Sequence, residues 1–361
     1  MAGKLRKHVD SMIPRTLGPA LGFLVATGCA PLTQPMPVGP GTFVVAARSE
    51  TVPVGTVNDD AADDPAIWRN RRNPAASLIV ATDKKAGLHV YGLDGKSRHF
   101  EPSGRLNNVD LFDLGRRGII VVASDRNNVA EARLQLYRLD PSSARLMPIG
   151  SVSGGAGEAY GICLEHDRGK LYAFSVLKQG LIHQVQIDFP RASMPRGTIV
   201  RTMRVATQPE GCVVDGRTKT LLVGEEDVGI WRFGSRADAP VTGTLVVPVD
   251  GRQLVADVEG LALAPTGIKG GWLIASSQGD NAYSLYRLPG YEPAGRFRIV
   301  AGRVGAAEET DGIALALGNF GPGYPGGLFI AQDGQNSPNA QNFKLVAWAD
   351  IASRISRKGA K

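Results

Sequence analysis

At 361 residues, 43% hydrophobic and 21% charged, the chain has the composition of a soluble globular protein, and its length allows one large domain or two. Its 45 glycines and 23 prolines favour many short strands and turns over long helices. The net charge of +7 falls to +4 without residues 1–28, and no basic run carries interleaved aromatics, so nucleic-acid binding finds no support.

Residues 1–28 read as an export signal. Lys4, Arg6, Lys7 and Arg15 form a positive n-region, and LGPALGFLVATG is apolar but too short to span a bilayer as a helix. The small residues of VATGCA stand directly before Cys29, as in bacterial lipoprotein cleavage boxes, where the Cys becomes the lipidated first residue. Export is expected either way, with the protein lipid-anchored in the cell envelope or, after ordinary cleavage, periplasmic or secreted. Residues 29–41, rich in Pro, Gly and Thr, suit a flexible tether. Cys163 and Cys212 belong to no CxxC or Cys/His pattern; a disulfide between them is open, but two small buried residues are the expectation.

From residue 42 onward a three-part unit repeats. Its first part is a small or acidic start to an apolar strand: DDPAIW (63–68), NNVDLF (107–112), AYGICL (159–164), PEGCVV (209–214), VEGLAL (258–263) and TDGIAL (310–315). The second is an apolar strand ending abruptly in charged or amide residues, as in SLIVATDKK, GIIVVASDRNN, KLYAFSVLKQG, TLLVGEED, GWLIASSQGDN and GLFIAQDGQN. The third alternates and is usually aromatic, as in LHVYGLDG and YSLYRLPG, with turn chemistry at its end. Starts about 44 to 52 residues apart match a four-stranded propeller blade. An all-β, six-bladed β-propeller over residues 42–356 is predicted, closed by pairing residues 42–57 with the last blade, residues 328–349. Only ADIASRISRK near the C-terminus looks helical, and a monomer is expected.

Equivalent positions of a propeller repeat form rings of equal height, and the start of strand one neighbours the end of strand two. Asp63, Asp64, Asn107, Asn108, Tyr160, Glu210, Glu259 and Asp311 should therefore share one rim with Asp83, Lys84, Lys85, Asp125, Arg126, Lys178, Glu225, Glu226, Asp227, Gln278 and Asp333. Unpaired carboxylates so crowded would repel one another. Oxygen donors without His or Cys select Ca2+ or Mg2+, irregular loops favour Ca2+, and none of the five histidines falls on the rim, which disfavours zinc. Lys84, Arg126 and Lys178 beside such ions make sense if a polyanion arrives between them. No Arg-His-Gly, Cys-x5-Arg, G-x-S-x-G or P-loop motif occurs, so phosphate-ester hydrolysis would use metal-activated water without a covalent intermediate.

The motifs DDPAIW, TDKKAGLHVYGLDGK, LNNVD, ASDRN, YGICL, PEGCVVD, GEEDVGIWRF, DVEGLAL, ASSQGDNAYSLY, TDGI and GLFIAQDGQN…QNFKLVAW, in order over residues 45–355, resemble the β-propeller phytases, the calcium-dependent alkaline phytases of bacteria. The resemblance implies stepwise removal of phosphates from phytate (myo-inositol hexakisphosphate) as its calcium complex, with several structural and catalytic Ca2+ ions. By motif, Asp63, Glu210, Glu226, Glu259 and Gln278 correspond to active-site calcium ligands, and Asp64 with the carbonyl of Val109 to a structural calcium site. Asp311, Asp333 and Asn336 correspond to a further ligand group, and Lys84, Arg126, Tyr160 and Lys178 to substrate-phosphate contacts. Two departures stand out: Lys178-Gln179 replaces a Lys-Glu pair, and, in place of the Asp that the family has about six residues before TDGI, AGRVGAAEETDGI offers Glu308 and Glu309 at a different spacing, which leaves the ligand set around Asp311 open. The alternatives are a propeller that binds polyphosphorylated ligands without cleaving them and a calcium-dependent propeller lactonase or esterase.

Overall fold

The computed structural model describes residues 41–190 and 194–358, so the expected export signal, Cys29 and most of the expected tether lie outside the described residues. Six sheets follow one another along the chain. Blade 1 takes Ala62–Trp68, Leu78–Asp83, Gly87–Gly92 and Ser97–Pro102; blade 2 takes Leu106–Asp113, Ile119–Asp125, Glu131–Asp140 and Arg145–Ala156. Blade 3 comprises Ala159–Asp167, Lys170–Leu177, Leu181–Asp188 and Arg196–Arg204, and blade 4 Pro209–Asp215, Thr220–Glu225, Gly229–Gly234 and Thr244–Pro248. Blade 5 comprises Val258–Thr266, Gly270–Ser277, Ala282–Leu288 and Glu292–Val300, and blade 6 Ile313–Leu317, Gly327–Asp333 and Asn342–Ala347. Each first strand packs against the next blade's first strand, and that of blade 6 returns to blade 1, which closes the ring. The six-bladed propeller expected from the repeats is the observed fold.

The apolar runs of the second strands have a direct cause. Every residue of Leu78–Asp83, Ile119–Asp125 and Gly327–Asp333 is buried, because these strands are covered on both faces by neighbouring blades. Each of the six blade-to-blade seams has its own apolar cluster, such as Val80, Leu88, Val109 and Val121 between blades 1 and 2. A fully buried side chain of this size contributes roughly 1.5–3 kcal/mol. The core is thus a wheel of six dry seams around a channel.

Closure differs from the expectation that residues 42–57 pair with the last blade. Ser49–Glu50 does so, antiparallel to Asn342–Ala347, and the amides of Arg48 and Thr51 donate to the carbonyls of Leu345 and Phe343. Thr42–Ala46 instead runs parallel to Glu292–Val300 as a fifth strand of blade 5. Alternation explains the choice: Phe43 and Val45 turn inward onto Phe297 and Ile299, where the Phe43 and Phe297 rings stack at 5.7 Å. The chain beyond the last blade forms the helix Trp348–Lys358, as its sequence suggested, and Ile351 and Ile355 pack on the same cluster.

A second correction concerns the cysteines. Cys163 and Cys212 form a disulfide between the first strands of blades 3 and 4, with 5.8 Å between Cα atoms. The two occupy different places in the repeat, the fifth residue of the first strand of blade 3 and the fourth of the first strand of blade 4. Only the stagger between adjacent blades brings them together.

Candidate active site

In five blades, two residues of the first strand oppose one of the second at the same place: between Ala62 and Pro65, Leu106 and Val109, Ala159 and Ile162, Pro209 and Cys212, and Val258 and Leu261. Such a bulge re-aims a side chain. The first bulge residues are Asp63, Asn107, Tyr160, Glu210 and Glu259, with Asp311 just before the first strand of blade 6. The second is glycine in later blades for a packing reason. A Cβ on Gly161 would lie 1.9 Å from the carbonyl oxygen of Glu210, one on Gly211 2.2 Å from that of Glu259, and one on Gly312 2.5 Å from that of Asp63. The ring residues are therefore stacked blade on blade by their own backbones.

One repeated hydrogen bond brings the second set of residues to this ring. The amides of Lys84, Arg126, Lys178, Glu226 and Gln278 donate to the carbonyls of Ala61, Arg105, Glu158, Gln208 and Asp257, each of which lies two residues before a ring residue. The preceding acids face the other way, as a period of two requires. Asp83 accepts from Thr56 Oγ1 at 2.9 Å, Asp125 from Asn127 N at 2.8 Å, and Glu225 from Trp231 Nε1 at 2.7 Å. Of the acids expected on the rim, these three fasten turns.

The cationic and aromatic members form two groups. Lys178 Nζ lies 5.0 Å and Arg126 Cζ 5.8 Å from the centre of the Tyr160 ring, and Arg126 is 3.7 Å from Glu158. Lys84 Nζ stands 2.8 Å from Asp60, 2.9 Å from Asp311 and 3.4 Å from Asp63. Gln278 Nε2 donates to Asp311 at 2.6 Å. Asn107 Nδ2 donates to Glu210 Oε1 at 2.7 Å, and Gln208 Nε2 donates to Glu226 Oε1 at 2.6 Å and to the Tyr160 hydroxyl at 3.3 Å. Gln208 was missed by the sequence reading, although its place two residues before Glu210 is the one that in each neighbouring blade receives the strand-two end.

Burial dominates the electrostatics. It pushes the carboxyls of Glu210 and Glu259 well above the usual range, and neighbouring carboxylates push them further. Asp63 and Glu226 also lie high through burial, against the pull of Lys84 and of a Gln208 hydrogen bond respectively, and burial brings Asp311 to about 7. Burial and then Glu210, Glu259 and Glu226 hold the Tyr160 phenol far above its ordinary value, so it stays a donor. Burial opposes the charge of Lys84, but Asp63, Asp311 and Asp60 outweigh it and raise its pKa.

Glu210, Glu226 and Glu259 each offer an oxygen within 4.8 Å of the others and could hold a metal ion. The fit has independent support: Asp63 Oδ1, Glu259 Oε2 and Asn107 Oδ1 are buried without a hydrogen-bond partner. Such oxygen-only donors suit a hard cation. Asp64 sits deeper, lining the central channel with Val109 and Asp110, and its Oδ2 accepts the Val109 N–H at 3.0 Å. Asp333 and Asn336 do not direct their oxygens to Asp311's partners; they surround Lys344.

Six sheets about a channel, with buried carboxylates at one mouth faced by Lys84, Arg126 and Lys178, define a β-propeller hydrolase built for an anionic substrate. The family model described as Phytase matches residues 14–359. The chain is also 36% identical over 362 residues to a 3-phytase of Bacillus subtilis (strain 168), covering 95% of this chain and 94% of that one. The chain belongs to the β-propeller phytase family, and its activity is that of a phytase, a phosphomonoesterase.

Proposed function

We propose that this phytase is calcium-dependent and hydrolyses the calcium complex of phytate stepwise at the channel mouth, beginning at the 3-phosphate as the name of its relative suggests. The observation that carries the reading is the set of buried, partnerless oxygens of Asp63 and Glu259 beside Glu210 and Glu226, faced by cations. In this reading Asp63, Glu210, Glu226, Glu259 and the Gln278 side chain hold calcium at the cleavage site, and Asp64 with the Val109 carbonyl holds a structural ion. Calcium bound there would neutralise phosphoryl oxygens and polarise a water for in-line attack. The chain's own residues orient the ester: Arg126 offers a planar fork to phosphoryl oxygens, Lys178 and Lys84 offer point charges, and the protonated Tyr160 phenol donates a hydrogen bond. Asn107 and Gln208 hold Glu210 and Glu226 in place.

The test is phosphate release from calcium phytate with and without EDTA. Release that stops with chelator and returns with added Ca2+ is expected; turnover indifferent to EDTA would defeat the reading. We further infer export, with cleavage before a lipidated Cys29 and a monomeric mature chain. A disulfide between Cys163 and Cys212 fits an oxidising compartment. Mass spectrometry of the mature N-terminus checks the first point and sedimentation the second.

A further inference from the structure

The corner where the N-terminal strand meets blade 6 contains a buried cation of the protein's own. Lys344 is 0% exposed on the strand Asn342–Ala347. Its Nζ lies 2.5 Å from Glu50 Oε2, 2.9 Å from Asp333 Oδ2 and 3.3 Å from Asn336 Oδ1. Strand register sets this direction: Lys344 stands opposite Glu50 on one side and Ala331 on the other, while Phe343 and Leu345 turn into the seam between blades 6 and 1.

The other polar atoms of Asp333 and Asn336 are used. Asp333 Oδ1 accepts the N–H groups of Glu308 and Gln335, each at 3.2 Å, and Asn336 Nδ2 donates to the Ala340 carbonyl at 2.7 Å. The partnerless oxygen beside the corner, Asn342 Oδ1, is a single neutral amide whose nitrogen donates to Glu50 and to the Thr51 carbonyl. At the channel mouth, by contrast, carboxylate oxygens are left without partners. Calcium requires six to eight oxygen ligands, and a divalent ion placed among these would meet an ammonium at contact distance. The segment that departs from the family's spacing closes over this lysine: a Cβ on Gly305 would lie 3.2 Å from its Nζ.

We propose that the Lys344 ammonium occupies the place at Asp333 and Asn336 where the family resemblance puts calcium ligands, and that it clasps Glu50 to blade 6 so that propeller closure needs no metal there. This goes beyond the calcium-dependent reading of the active site and can fail separately from it.

The experiment uses the full chain and the variants Lys344→Met, Asp333→Asn and Asn336→Ala. Bound calcium is counted by equilibrium dialysis with radioactive Ca2+, and melting is followed in EDTA. Asp333→Asn and Asn336→Ala should bind as many ions as wild type, while Lys344→Met should melt about 5–10 °C lower in EDTA, because it strands the buried Asp333 carboxylate and unpairs the half-buried Glu50. Loss of one ion in either of the first two variants, or unchanged melting of the third, overturns the proposal. Should Asp333→Asn not fold, Asn336→Ala, which keeps the ion pair, carries the count alone. A wild type that binds no calcium supports this inference and overturns the active-site reading. A variant that loses one ion yet still hydrolyses phytate overturns this inference alone.

Discussion

Gln208 touches both halves of the site, donating from one nitrogen to Glu226 at 2.6 Å and to the Tyr160 hydroxyl at 3.3 Å. A hydrogen bond to a charged group contributes about 1.5–3 kcal/mol. With that orientation used in the transition state, Gln208→Leu should lower kcat about ten- to a hundredfold when assayed well below its melting temperature, where the chain remains folded. Wild-type kcat in this variant would remove Gln208 from the machinery. Arg126 invites a companion test, because its Nε is buried without a partner beside Tyr160. Arg126→Ala should cut kcat/KM at least tenfold, and Arg126→Lys should restore only part of it, since a lysine lacks the fork. Full recovery with lysine would show that charge alone matters. Neither residue type announces itself: Arg126 was legible because Lys84 and Lys178 stand at the same place in adjacent repeats, whereas the counterparts of Gln208 are Ala61, Arg105, Glu158 and Asp257, whose variety hid the position.

At the scale of the element, the bulged start of each first strand determines where the site lies. Gly211 and Gly216 make a controlled pair. A Cβ on Gly211 meets the Glu259 carbonyl oxygen at 2.2 Å, whereas one on Gly216 meets nothing within 4 Å. Gly211→Ala should therefore destabilise by about 1–3 kcal/mol and displace Glu210 and Glu259, while Gly216→Ala should be neutral in denaturant melts. Equal stabilities would mean that the bulges tolerate a methyl group and do not determine the ring. The Cys163–Cys212 bridge closes 49 residues across two of these elements. Chain entropy puts its contribution at about 4 kcal/mol. The bulge itself was not visible in the amino-acid string, which shows the acid-glycine pairs but not the extra residue that turns them.

For the whole molecule the governing fact is an excess of buried negative charge at one channel mouth. Asp311 lies at about 7, and burial raises Glu210, Glu259 and Glu226 as well, above ordinary carboxyl values of about 4. Between those limits the folded state binds more protons than the unfolded chain, so raising the pH through this window removes stability from the metal-free protein. Melting temperature in EDTA should fall from pH 5 to pH 8, and saturating Ca2+ should flatten the slope by replacing the protons. A metal-free protein whose melting temperature rises over that interval would contradict the picture.

The amino-acid sequence by itself determined the number of blades, their order and the rim on which chemistry gathers, because a closed rotational repeat copies each spacing to one height. It also marked Asp63, Glu210, Glu259 and Lys84 as neighbours, although up to some 200 residues separate them. The tertiary structure alone decided matters of stagger and facing: which acid of each strand-two end turns outward to a loop, that Cys163 meets Cys212, and that Thr42–Ala46 joins blade 5 while Ser49–Glu50 joins blade 6. It also put Lys344, rather than an open oxygen cage, between Glu50 and Asp333. The physical reason is that periodicity constrains contacts within and between repeats of equal phase, whereas a bulge, a blade offset or a clasp from the chain's other end breaks that phase.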